Sequence, residues 1–247
     1  MGEGQAGGTL VAFLLDRTGS MGEVKAQTIE GFNAYLDGLD GAGDGVEVSV
    51  LQFDSISIDV LCVDARPADV PRLTDASYQP RASTPLIDAA VKTIRAVEAA
   101  VAGRAVPPKV VVTFQTDGEE NCSTEHGWIE LNLLVKDKVA QGWEFNFLGA
   151  GIDAYAQGAR MGLGEDRVMS YDKGALHETR LAFTERAGRA ARYAKGEEAD
   201  MAIPLAAKVA AGDRYAKRPN AEVRGTPDLA AKPAPRRRRA MTDQPKL

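Results

Sequence analysis

An apolar run, Leu10 to Leu15, passes without a linker into Asp16-Arg17-Thr18-Gly19-Ser20, and a helical pattern follows from Glu23. A buried strand that turns through a short polar segment straight into a helix is the opening unit of a layered α/β fold, which narrows the architecture more than any other stretch of the chain. The turn also places three oxygen side chains at alternate positions. They can converge on one point, and Gly19 lets the backbone bend closely around it. Such a point suits a hard cation, because magnesium takes oxygen ligands only, demands near-octahedral geometry and keeps several waters that a partner's carboxylate can displace.

Two further segments complete the pattern. In Ser83-Thr84-Pro85-Leu86, Pro85 can open a helix and holds Thr84 extended, with its hydroxyl at the helix mouth. Thr116-Asp117-Gly118 ends the strongest apolar run, Val110 to Phe114, so Asp117 is expected at the carboxyl edge of a strand. Ligands of open α/β sheets bind outside those edges, near the switch point between strands. Taken singly, each segment reads as a turn or a helix cap, since Ser, Thr, Asp and Gly favour both for local hydrogen-bonding reasons.

The rest of the chain alternates strand and helix. Thr9 to Leu15 reads as a buried strand and Glu23 to Leu39 as a helix with Val24, Thr28, Phe32, Tyr35, Leu36 and Leu39 on one face. Val46, Val48 and Val50 alternate with polar residues, as do Ile56, Ile58 and Val60 beyond Asp54-Ser55, which predicts a hairpin with a two-residue link. Arg66 to Arg81 reads as loop with at most one short helix. Helices are expected over Pro85 to Val101, His126 to Val139, Asp153 to Gly162 and Ala175 to Lys195, with strands at Val110 to Phe114, Trp143 to Leu148 and Arg167 to Tyr171. The pattern predicts a doubly wound, Rossmann-like α/β domain. Its six-stranded sheet would be mostly parallel with one antiparallel edge strand and helices on both faces.

Asp16-x-Thr18-x-Ser20, then Thr84, then Asp117, is the order and spacing of a metal-ion-dependent adhesion site, and the chain resembles the von Willebrand factor type A domain family over roughly residues 9 to 197. The family's first motif is usually Asp-x-Ser-x-Ser; Thr18 keeps the hydroxyl and adds a methyl group. The resemblance implies that Thr18 and Ser20 ligate Mg²⁺ or Mn²⁺ directly, that Thr84 does so when the site is open, and that Asp16 and Asp117 act mainly through water. Neutral hydroxyls leave the cation's charge poorly neutralised, so it should attract an Asp or Glu of a protein partner. Phe147 to Ala154 also resembles bacterial and phage members of the family, but the preferred reading is a glycine turn at a strand end with Asp153 capping the next helix.

Three divisions of the chain follow: a flexible N-terminus over 1–8, the domain over 9–197, and a Pro/Ala/Arg-rich tail over 198–247 expected to be disordered. Residues 200–247 hold eleven Lys/Arg against five Asp/Glu, a net of +6 that leaves the preceding residues at −11 within the chain's −5. Arg236, Arg237, Arg238 and Arg239 form a basic run that could touch nucleic acid, an acidic partner or this protein's own domain; against nucleic acid, it lacks interleaved aromatics and the acidic domain supplies no supporting patch. Met201 to Ala211 is apolar enough to dock on the domain or on a partner, with Pro204 opposing a long helix there. No apolar run approaches the roughly 20 residues of a membrane span. Met1 to Gly8 has no basic residue and leads into no long apolar region, and Cys62 and Cys122 share no metal or redox spacing, so a cytoplasmic location is expected.

Enzymatic readings find little footing. His126 and His177 are the only histidines and neither belongs to a nucleophile motif. Arg17-Thr18 stands where an Asp-x-Asp phosphatase needs its second aspartate, and neither a P-loop nor a G-x-G-x-x-G turn occurs. Glu119 and Glu120 are expected to be solvated. The resulting expectation is a cation-dependent protein-binding adaptor. A structural or self-liganded metal site is the first alternative, and a Mg²⁺-dependent hydrolase, which lacks an evident base, the second.

Overall fold

β1 (Gly7–Asp16) lies at the centre of a six-stranded sheet of order β3-β2-β1-β4-β5-β6. Its neighbours are β2 (Val46–Phe53) and β4 (Pro108–Thr116), both parallel to it; β5 (Glu144–Ala150) and β6 (Val168–Tyr171) extend the sheet in parallel, and β3 (Ile58–Ala65) pairs antiparallel with β2 at the opposite edge. The structure, a computed structural model, describes residues 7–216 apart from Asp44. The Arg236 to Arg239 run and most of the expected tail lie outside the described residues.

β1 is apolar from Leu10 to Leu15 because both of its faces are covered there. Leu10, Ala12 and Leu14 point to α2 (Leu86–Ala102), α3 (Trp128–Ala140) and α4 (Ala154–Met161), whereas Val11, Phe13 and Leu15 point to α1 (Lys25–Asp40) and α5 (Leu176–Ala194). The Phe13 ring meets Phe32 and Tyr35 edge-on, with centroids 5.3 and 5.0 Å apart. Gly31 brings α1 and α5 close: a Cβ there would fall 2.8 Å from the Phe183 ring. The helical spacing expected from Thr28 to Leu39 is the buried face of α1, while Glu23 and Val24 belong to a preceding 3₁₀ segment, Gly19–Val24.

The hairpin between β2 and β3 departs from the expected form. Its link is Asp54 to Ser57, and Ile56, expected in the strand, is exposed in the turn. Asp54 makes the turn by accepting the N–H groups of Ile56 and Ser57 on Oδ1, at 2.7 and 3.0 Å.

Residues past 197 also pack on the fold. Arg186, fully buried, donates from Nη1 to Asn146 Oδ1 and to the Met201 carbonyl, at 3.1 and 2.9 Å. Met201, Ile203 and Ala211 are buried, and Pro204 confines the intervening helix, α6, to Leu205–Ala210. The segment then closes the free edge of β6: Ser170 N–H donates to Asp213 Oδ2 (2.9 Å) and Asp172 N–H to the Ala211 carbonyl (3.3 Å). Covering an edge strand removes a template for unwanted pairing. Tyr155 also donates to Asp213 Oδ2, at 2.8 Å. Asp213→Ala, which leaves the Ser170 N–H and the Tyr155 hydroxyl without an acceptor, is expected to cost about 2 kcal/mol, read as a fall in melting temperature.

Candidate metal centre

Order reverses between β1 and β4, and their register sets Leu15 beside Gln115. Asp16 and Thr116 therefore end adjacent strands side by side at the switch point, where chains leaving in opposite directions open a crevice. Asp16 is fully buried: Oδ1 accepts the Thr18 N–H at 2.6 Å, and Oδ2 accepts the Thr116 hydroxyl. The Tyr78 hydroxyl donates to its carbonyl oxygen. Burial outweighs these donors and pushes the Asp16 carboxyl from 3.8 up to about 7.

Thr18, Ser20, Thr84 and Asp117 form one hydrogen-bonded line. Thr84 Oγ1 donates to Thr18 Oγ1 at 3.1 Å, Thr18 Oγ1 lies 3.3 Å from Ser20 Oγ, and Ser20 Oγ donates to Asp117 Oδ1 at 2.6 Å. All five residues singled out in the sequence thus meet at one place. Asp117 Oδ2, by contrast, is buried without a hydrogen-bond partner, and burial raises the acid's pKa. Gly118 keeps space beside it, since a Cβ there would stand 3.2 Å from Thr84 Oγ1 and 3.5 Å from Ser20 Oγ.

Several side chains absent from the motif hold this geometry. Arg17 points away from the motif hydroxyls, bonded through Nε and Nη2 to Asp54 Oδ2 at 3.1 and 2.8 Å and paired through Nη1 with Asp59 at 2.7 Å. Its backbone bridges two loops, with N–H to the Phe53 carbonyl and its carbonyl accepting the Arg81 N–H, both at 2.9 Å. Ala82 is left-handed, φ +62°, and its carbonyl accepts the Gly19 N–H at 3.1 Å. A non-glycine residue in that region costs on the order of 1 kcal/mol, offset here by the bonds on either side of it.

Thr84 does not cap α2. Its N–H donates to Asn121 Oδ1 (3.0 Å) and its carbonyl accepts the Asn121 N–H (3.1 Å). The cap is supplied from the loop after β4: Glu120 Oε2 accepts the Ile87 N–H at 2.8 Å and Ser123 Oγ accepts the Asp88 N–H at 3.1 Å. Glu120 also accepts the N–H groups of Cys122 and Ser123, so the expectation that it is solvated is wrong. Glu119 is exposed as expected. In return, the buried Asp88 carboxylate accepts the N–H groups of Thr124, Glu125 and His126. Asp153 occupies the N-cap position of α4 without a side-chain capping bond, and the Ala154 N–H goes instead to Ser170 Oγ at 3.1 Å.

The donor set is two buried carboxylates and three hydroxyls. Among the described residues no group of three or more His, Cys, Asp or Glu is placed to hold a metal ion. What the cluster offers is oxygen alone, with a buried carboxylate oxygen that accepts no hydrogen bond and a glycine next to it in the chain, which fits a small hard cation.

No protein-family model matches the chain. No curated protein matches it either. Solved structures match its fold. The von Willebrand factor type A protein from Catenulispora acidiphila does so with a TM-score of 0.56 at 14% identity, over 75% of this chain and 43% of that one. The pilus adhesin SpaC from Lactobacillus rhamnosus GG, in its open conformation, gives 0.59 at 13% identity over 76% and 30%. Proximal thread matrix protein 1 from the mussel byssus, with a zinc-occupied MIDAS motif, gives 0.51 at 14% over 75% and 48%. The chain spans less than half the length of each of these proteins. The fold is von Willebrand factor type A-like.

Proposed function

We propose that the chain is a divalent-cation-dependent binding domain, not an enzyme, in which Thr18, Ser20 and Thr84 offer hydroxyls to Mg²⁺ or Mn²⁺ while Asp16 and Asp117 balance its charge. The bound cation would supply an open, electrophilic position for an Asp or Glu side chain of a protein partner. The observation that carries this reading is the buried Asp117 Oδ2, which accepts no hydrogen bond and has only the Lys173 ammonium 3.6 Å away, beside the Thr84–Thr18–Ser20 hydroxyl line. A buried carboxylate oxygen without a donor is costly unless a cation meets it. A site on the bacterial or phage pattern, working in the cytoplasm, is part of the proposal.

Titrating Mg²⁺ into the protein is expected to raise its melting temperature saturably, by about 2.7 kcal/mol of stabilisation at a hundredfold excess over Kd. Ser20→Ala and Asp117→Ala should lose the rise while remaining folded in EDTA. With Mg²⁺ and not EDTA, the wild type alone should be retained on a surface bearing a glutamate-containing peptide. Absence of a saturable shift in the wild type would overturn the metal reading. A shift without peptide retention would point to a structural ion.

A further inference from the structure

The candidate centre already holds a cation of the chain's own. Lys173, two residues past β6, places Nζ 3.6 Å from Asp117 Oδ2 and 3.3 Å from Glu23 Oε2. Asp117 Oδ2 is the oxygen with no hydrogen-bond partner, so the ammonium is the charge that faces it. The aim is built into the backbone. Gly151, just past β5, sits at φ +69°, and a Cβ there would fall 2.8 and 2.9 Å from Lys173 Cγ and Cδ. The lysine stem lies in a trough that a side chain at residue 151 would fill. Gly151 N–H also donates to the Tyr171 carbonyl at 2.8 Å, tying the trough to the strand end from which Lys173 departs. This gives the glycines of the Phe147 to Ala154 stretch a task beyond making a turn.

We propose that Lys173 is a tethered counter-ion of Asp117 that a divalent cation must displace, so that this lysine sets the threshold of metal occupancy; the inference rests on the metal reading above. Two cations facing the same carboxylate repel, and the carboxylate oxygen that they face is itself buried. Displacement is open to the lysine: its side chain is 35% exposed and Glu23, 79% exposed, waits 3.3 Å away on the solvent side. The ammonium therefore passes from Asp117 to Glu23 when a cation takes over the buried oxygen. Without metal, Lys173 compensates the charge of Asp117 and keeps the hydroxyl line assembled.

The test is calorimetric titration of Mg²⁺, and separately Mn²⁺, into the full chain as wild type, Lys173→Met and Lys173→Arg, with melting in EDTA as a metal-free readout. Lys173→Met should bind the cation about three- to tenfold more tightly and melt lower in EDTA, while Lys173→Arg stays near the wild type on both counts. Equal or weaker binding by Lys173→Met, with saturation in both proteins, overturns the counter-ion role and leaves the metal site standing. No saturable binding in any variant overturns the metal reading and this inference with it. A lower melting temperature in EDTA would then mark only a structural ion pair.

Discussion

In EDTA the protein is expected to melt at a higher temperature at pH 5 than at pH 8. Asp16 is fully buried, and burial pushes its carboxyl from 3.8 to about 7. Because the folded-state value is raised, the fold prefers the protonated acid. Stability from this group is full below about pH 4, where folded and unfolded chains are both protonated, and is lost as pH rises through 7. A displacement of that size corresponds to on the order of 4 kcal/mol. Asp117, raised by its own burial, acts in the same direction. Asp16→Asn should flatten the profile, because the amide keeps an acceptor for the Thr18 N–H and offers a donor to the Thr116 oxygen. At pH 8 without metal, the variant should therefore be the more stable protein. Mg²⁺ should restore the wild type at pH 8 and do little for Asp16→Asn. A metal-free melting temperature that rises steadily from pH 5 to 8 would contradict this account of the site.

The second large effect is expected far from any proposed ligand. Asp88→Ala should destabilise the protein by about 3 kcal/mol, since charged hydrogen bonds contribute about 1.5–3 kcal/mol each and do not add fully. Asp88 accepts three successive backbone N–H groups, from Thr124, Glu125 and His126. Removing it leaves those groups competing for water in a partly buried loop, and the loop carries Asn121, which holds Thr84 from both sides. The melting temperature should fall by roughly 6–12 °C, and Mg²⁺ affinity should fall with it, although Asp88 touches none of the five candidate ligands. Glu120→Gln, which keeps an acceptor and most of the shape, should produce a milder version of both effects. An Asp88→Ala protein with unchanged melting temperature would mean that the loop is held by other means.

The five candidate ligands were legible because each sits at a junction whose local chemistry is strong: an apolar run ending in Asp16, another ending at Thr116-Asp117, and a proline opening a helix after Thr84. Their supports were not. Arg17 occupies a variable position of the motif, and nothing near it in sequence indicates Asp54 or Asp59 as its partners. Asp88 reads as an ordinary acidic residue in the first turn of a helix, and Glu120 as a solvated neighbour of Asp117, because the partners of Asp88 and the helix N–H that Glu120 caps lie more than thirty residues away. Thr116, adjacent to Asp117, was the one support within reach of sequence reasoning: its place at the end of β4 opposite Asp16 follows once the two strands are taken as neighbours. Met201, Ile203 and Ala211 are too few and too widely spaced to form a periodic pattern, yet each is buried in the core cluster that includes α1 and α5.

Periodicity and local chemistry determined the alternating strands and helices, the buried face of α1 and the antiparallel edge, since these depend on residues close together in the chain, and they marked each segment of the oxygen cluster separately. Tertiary structure decided which carboxylate oxygen stands without a donor, which lysine faces it, and which distant acids lock the loops around it. Those features arise from the side-by-side register of β1 and β4 and from loops that meet only after the sheet has formed, and hydrogen bonds between segments thirty to a hundred residues apart leave no local trace in the sequence.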